Sequence, residues 1–435
     1  MNYTQGFLEF IKNSYTCFHA VENMCHILQE NGFIELEEGE KWNLQKGGKY
    51  FVCRNNSSII AFNIGQELED FSFNITASHT DSPTFKVKPN FEIKLADKYL
   101  SLNTEAYGGM ICSSWFDRPL SIAGRAIVRN NEVLEERLVN IDEDLLVIPN
   151  VPIHLNREIN SGYKYNLQQD TIPLMSLDPK VSLKEKLAYE LNISSSDIIE
   201  TDLYLYNRFR GCLIGANKEM ILAPQIDDLE CAYASLMAFI NGYNKNSINV
   251  FASFDNEEVG SHTKQGAAST FMEDILKRIN RNLGYTEEDY LCALSSSFMI
   301  SCDNAHATHP NKQALYDQNN RSFMNEGVVI KYNASQSYTT DAVSASLFVE
   351  LCHKAQAKYQ SFTNRSDMRG GSTLGNIVQS GVSICSCDIG LPQLAMHSAV
   401  ETAGVKDLDD LIKILEVFYN HHIVRLNKMQ MKISQ

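Results

Sequence analysis

The sequence predicts an α/β protein in which a layered sheet domain is interrupted by a β-rich insertion. Three observations carry this reading. Beyond residue 219, apolar runs of strand length alternate with longer amphipathic segments, the pattern of an α/β sheet. Between residues 91 and 219 the texture changes to short alternating runs among turn-rich pieces. In the outer parts of the chain, side chains able to hold a metal recur just past the apolar runs, where open α/β sheets bind ligands.

Taken in order, apolar residues at helical spacing (Phe7, Leu8, Ile11, then Val21, Met24, Ile27, Leu28) predict helix up to the stop at Asn31-Gly32. "KYFVCR", "SIIAFNI" and "FSFNITAS" read as strands. In the insertion, "LSIAGRAIV", "NEVLEERLV" and "IETDLYLY" read as strands and "LKEKLAYEL" as a helix. Afterwards helices ("LECAYASLMAFI", "TFMEDILKRINRN", "VSASLFVELCHKAQ", "LDDLIKILEVFYN") alternate with strands ("INVFASF", "SSFMIS", "VVIKY", "VSICSCDI"). The simplest division is one α/β domain, residues 1–90 and 220–435, around an inserted β-rich domain, residues 91–219. No internal repeat or low-complexity tract interrupts it.

Composition narrows the function. The chain has 435 residues, 44% hydrophobic and 21% charged, enough to bury a large core. Its formal charge of −15 argues against nucleic acid and against an anionic membrane surface as partners. No apolar run approaches the ~18–20 residues that cross a bilayer. The opening "MNYTQGFLEFIKNSY" lacks a basic region followed by an apolar stretch, so a cytoplasmic protein is expected. Eleven cysteines scattered through apolar segments fit reduced core thiols. Cys385 and Cys387 have no second pair at zinc-site spacing.

The candidate chemistry sits past the strands. "FSFNITAS" runs into His79-Thr80-Asp81, "INVFASF" into Asp255-Asn256-Glu257-Glu258, and "SSFMIS" into Asp303, with His306 and His309 close behind. "VSICSCDIG" is followed by a loop holding His397, and Asp227-Asp228 open an amphipathic helix. Singly, each has a bland reading: a helix cap for either aspartate, turn chemistry for Asp303-Asn304, a solvated surface pair for the glutamates. Together, two histidines and three or four acids at one sheet edge fit two divalent ions. Imidazole and carboxylate ligands suit Zn, Mn or Co. Such a pair needs a bridging carboxylate. A carboxylate near a ligating imidazole, as Asp81 is to His79, fixes its tautomer. One glutamate of the pair can then ligate while its neighbour moves a proton.

The chain resembles the aspartyl aminopeptidase family of dinuclear zinc exopeptidases. The resemblance rests on "YTCFHAV", "ASHTDSPTFKVKP", "IPNVPIHLNRE", "QIDDLECAYASL", "FDNEEVGS", "SCDNAHATHPN", "VIKYNASQSYTT", "GGSTLG" and "LAMHSAVET", nine stretches in order from Phe18 to Glu401. It implies a zinc-peptidase-like α/β domain interrupted by a dimerisation domain, and dimers assembled into a homo-dodecamer. It implies two zinc ions per subunit, with His79 and Asp303 on one, Glu258 and His397 on the other, and Asp227 bridging. Glu257 would be the general base, with Asp81 behind His79. His154 would reach a neighbouring subunit's site, and Lys331 and Tyr338 would face the substrate, a peptide with a free N-terminus and Asp or Glu first. Two departures, Gln225 in place of an arginine and "DMRGGSTLG" without a Pro-Cys pair, bear on pocket lining and so on substrate preference. Two rival readings remain at this point. An aminopeptidase of broader specificity, or an amidohydrolase or deacylase acting without a free amine, would use the same site, and an inactive self-assembling shell or cargo protein would do no chemistry.

Overall fold

The computed structural model describes residues 2–368, 370–427 and 429–434. The apolar runs build a mixed nine-stranded sheet. Its centre is four mutually parallel strands, in the spatial order Ser247–Phe254, Ser72–His79, Phe298–Cys302 and Cys385–Gly390. Such strands are covered on both faces, which is why they read as continuous runs instead of alternating ones. Every residue of Ser72–His79 and Ser247–Phe254 is buried. Flanking strands are antiparallel at the joins: Ser58–Ile64 against Ser247–Phe254, and Val328–Tyr332 against Cys385–Gly390.

Helices cover both faces, giving three layers. Ile226–Asn241, Ala342–Ala355, Val405–Asn420 and the two N-terminal helices share one apolar core. Phe271–Asn282, Glu287–Ser296 and Leu374–Val378 share the other. The expected N-terminal helix is two, Tyr3–Asn13 and Cys17–Glu30. The break follows from Ser14, whose hydroxyl turns back to donate to the Phe10 carbonyl (2.7 Å), satisfying an orphan acceptor of the last turn.

A six-stranded sheet, built from strands between Thr84 and Asn207 with helix Leu183–Leu191 against it, has its own core. The border expected at residue 91 falls inside its strand Thr84–Leu95. A third, five-stranded sheet was not anticipated. It joins Cys212–Ile214, Met220–Ala223, Glu401–Gly404, Pro392–Leu394 and Ala305–His306 beside the carboxyl ends of the central strands. No helix among the described residues is long and apolar enough to cross a membrane.

Candidate active site

Parallel pairing in register puts the chemistry at one edge. Phe254 lies opposite His79, so the glutamate turn emerges beside the histidine. Asp303 follows the next strand, and the chain leaving Cys385–Gly390 returns with His397. Asp227 and Asp228 enter from the start of Ile226–Asn241, where their backbone is non-helical; neither is the N-cap, which is Gln225. Asn256, with φ +63°, turns the chain so that the short 3-10 segment Glu257–Val259 faces this edge.

The side chains converge. His79 Nε2 lies 3.4 Å from Asp227 Oδ1, and His397 Nε2 lies 3.3 Å from Asp227 Oδ2 and 3.4 Å from Glu258 Oε1. Three overlapping groups offer ligand atoms within 4.8 Å of one another: His79, Asp227, Asp228 and Asp303; His79, Glu257 and Glu258; Asp227, Glu258 and His397. All of these except Asp228 border a cavity of about 200 Å³, together with Lys331, Tyr338, His306 and Phe362.

Two features show that this cluster fits divalent cations. Each imidazole turns its Nδ1 to a main-chain carbonyl, His79 to Asp81 at 3.0 Å and His397 to Gly109 at 2.8 Å. A proton held there leaves Nε2 aimed into the cluster. Among the described residues, Asp227 Oδ1 and Glu258 Oε1 are buried with no hydrogen-bond donor, a costly state that a cation relieves. Asp228 differs from its neighbour. Its carboxylate accepts the backbone N–H groups of His79 (3.1 Å) and Asn304 (3.2 Å), bracing the two segments instead of facing the cavity.

The expected role of Asp81 needs refinement. Its carbonyl oxygen, not its carboxylate, is the nearer partner of His79, with Oδ1 at 3.4 Å. The carboxylate instead accepts the amides of Glu257 (3.1 Å) and Glu258 (3.2 Å), because the turn after Asn256 points both N–H groups at it. His154 lies on an exposed stretch and is not among the residues lining this chain's cavity. Lys331 is no solvated lysine: 3% exposed, it donates to the Asn304 carbonyl (2.8 Å), sits 3.5 Å from Asp303 Oδ1 and lies over the Tyr338 ring (5.7 Å).

Charge crowding shows in the protonation states. Burial pushes Glu257 up to about 8, with Asp303, Asp81 and Asp227 adding to it and His79 opposing. Burial likewise raises Glu258. Burial works against a charged His397, but Asp227 and Glu258 outweigh it and hold the ring up at about 10. Without a cation, Glu257, Glu258 and His397 therefore hold protons more tightly than the free side chains do, whereas His397 and His79 overcome burial to keep Asp227 well below the usual carboxylate range.

Glu401 was missed as a site residue, although its "LAMHSAVET" stretch was singled out. Buried on the five-stranded sheet, it accepts the N–H groups of Asp227 (3.0 Å) and His397 (2.6 Å), tying two facing segments together. Nothing in its local sequence separates it from other glutamates, because its partners come from distant parts of the chain.

Fold and cluster together define the class: an α/β enzyme with a centre for divalent cations. Comparison with known proteins gives the family. Residues 10–419 match the family model described as Aminopeptidase I zinc metalloprotease (M18), and the chain belongs to that family. It is accordingly a zinc aminopeptidase, an exopeptidase hydrolase. It is 47% identical to a probable M18 family aminopeptidase 2 of Clostridium acetobutylicum, over 97% of this chain and 99% of that one. The Pseudomonas aeruginosa PAO1 protein of the same description is 38% identical, over 95% and 97%. Among solved structures, the chain in the Ape4 and Nbr1 complex superposes with a TM-score of 0.93 at 35% identity, covering 96% of this chain and 85% of that one. The S. cerevisiae mApe1 dodecamer gives 0.83 at 25% identity, covering 95% of each chain.

Proposed function

We propose that this aminopeptidase works with two zinc ions per chain and prefers peptides beginning with Asp or Glu. In this reading His79 and Asp303 hold one ion, Glu258 and His397 the other, and Asp227 is shared. The observation that carries it is the placement of Asp227, one oxygen toward each imidazole. When bound, such cations would supply positive charge to polarise the scissile carbonyl and to make a water easier to deprotonate. Mn or Co could occupy the same ligand set.

The protein's own groups do the rest. Glu257 is the general base: its carboxylate lies beside the cluster and accepts no hydrogen bond among the described residues, so it is free to take the water's proton and pass it to the leaving amine. The carboxylates lining the cavity would pair with a peptide's free α-ammonium, as an exopeptidase requires. Lys331 and Tyr338 line the pocket for the first side chain, and the lysine supplies a cation in an otherwise acidic cavity.

Around this centre we read the chain on either side of the insertion as the catalytic domain and the six-stranded unit, which begins at Thr84, as a dimerisation domain. Its exposed stretch around Val151, Ile153 and Leu155 would carry His154 to a neighbouring subunit, where it would stabilise the oxyanion. The mApe1 dodecamer supports a homo-dodecamer for this chain as well. A cytoplasmic setting agrees with eleven free thiols.

The test is hydrolysis of a panel of N-terminal residues by wild type, Glu257→Gln and Lys331→Met. Glu257→Gln is expected to keep its zinc and lose roughly 10²–10⁴-fold in kcat. Near-normal turnover would remove Glu257 from the role of base. Lys331→Met is expected to abolish the preference for Asp and Glu; an unchanged ranking of substrates would reject the lysine as selector.

A further inference from the structure

We infer that Tyr107, which belongs to the six-stranded sheet, is a positioning residue for the glutamate pair and acts through Asp81. The inference rests on the role proposed above for Glu257 and Glu258. Tyr107 ends the strand Tyr99–Tyr107, and its hydroxyl donates to Asp81 Oδ2 at 2.7 Å. That carboxylate holds the amides of both glutamates, Oδ1 taking Glu257 and Oδ2 taking Glu258. One side chain from another sheet therefore completes the anchor of two successive residues in the turn.

The tyrosine is itself fixed. Its backbone pairs with Thr84, three residues beyond Asp81, so sheet register sets the ring against this carboxylate. Asn256 Nδ2 donates to its hydroxyl (2.8 Å), and the Asn256 amide oxygen is held by Thr263 Oγ1 and Gln265 Nε2, both at 2.8 Å. The phenol thus accepts from the turn and donates to the group that holds the turn. Tyr204 packs edge-on against the same ring (5.6 Å, 81°), yet among the described residues its hydroxyl makes no hydrogen bond. It provides a packing control in the same aromatic cluster.

Removing the Tyr107 hydroxyl leaves the Asp81 carboxylate with the two amides and Asn256 Nδ2 with Asp255 Oδ1 (3.2 Å) as its remaining acceptor. Loss of a hydrogen bond to a charged group corresponds to roughly 10- to 100-fold in the step it supports. The test uses full-length, zinc-loaded protein and compares Tyr107→Phe, Tyr204→Phe, Asp81→Asn and the Tyr107→Phe/Asp81→Asn double variant. Steady-state kinetics and the rate of zinc transfer to a coloured chelator are measured, with Glu257→Gln alongside.

Tyr107→Phe is expected to lower kcat at least tenfold with KM within about twofold, and to release zinc faster. Tyr204→Phe is expected to match wild type in both readouts. In the Asp81→Asn background the tyrosine substitution is expected to add little, since its route is already cut. Tyr107→Phe behaving like Tyr204→Phe, or reducing kcat by the same factor with and without Asp81, would overturn the inference. Should Glu257→Gln be inactive in that case, only the role of Tyr107 falls; an active Glu257→Gln would instead undo the reading of the base.

Discussion

Asp227 and Asp228 are adjacent, both buried, and serve opposite purposes. Asp227 offers an oxygen to each histidine, whereas both oxygens of Asp228 are taken by backbone N–H groups. Asp228→Asn keeps the shape but turns an NH2 against one of those N–H groups. It is expected to lower the melting temperature and weaken zinc binding about tenfold, as follows when one charge-assisted hydrogen bond becomes a donor clash. Differential scanning calorimetry and zinc titration check this, and unchanged values in both would remove Asp228 from its bracing role. An acid pair at a helix start shows which residue types are present but not which carboxylate turns outward. Only the main-chain path after Gln225 separates them. Glu257 and Glu258 posed the same difficulty, and there the positive φ of Asn256 brings both to one edge.

At the scale of elements, the strands and helices that build the nine-stranded sheet were legible because burial on both faces leaves uninterrupted apolar runs. The five-stranded sheet was not. Its strands have two to four residues and come from stretches far apart in the chain, so no local period marks them. It nevertheless carries Glu401 and continues the seam that begins where the nine-stranded sheet ends: Asp303 N–H donates to Ile389 O (3.1 Å), and Ala305 N–H to Leu391 O (2.8 Å). Gly390 lies between these bonds, where a Cβ would collide with the Asp303 carbonyl oxygen. Gly390→Ala is therefore expected to shift the Asp303 segment, destabilising the fold by roughly 1–3 kcal/mol. It is also expected to weaken zinc retention. Denaturant unfolding and metal content after dialysis measure the two effects, and a substitution neutral in both would contradict the tight seam.

For the whole molecule, the formal charge of −15 counts every carboxylate as ionised, and burial alters that count at several acids. Glu230, Glu257 and Glu401 are each held up at about 8, chiefly by burial, against an ordinary carboxylate near ~4.3. His397 is held up at about 10. A raised folded value means that the contribution to stability is full below the unfolded value and fades as pH rises through the folded one. Metal-free protein is therefore expected to lose thermal stability between pH 5 and 9, and zinc to restore it by replacing the stored protons, with proton release on binding. A metal-free melting temperature that rose across this range would contradict the proton-storing cluster. The most direct test of the shared Asp227 is the zinc stoichiometry of the dialysed, reloaded protein, measured by elemental analysis alongside calorimetric titration. Wild type is expected to bind two zinc ions per chain, and Asp227→Ala to retain at most one. Saturation of wild type at a single zinc ion would contradict a centre in which Asp227 joins two metals.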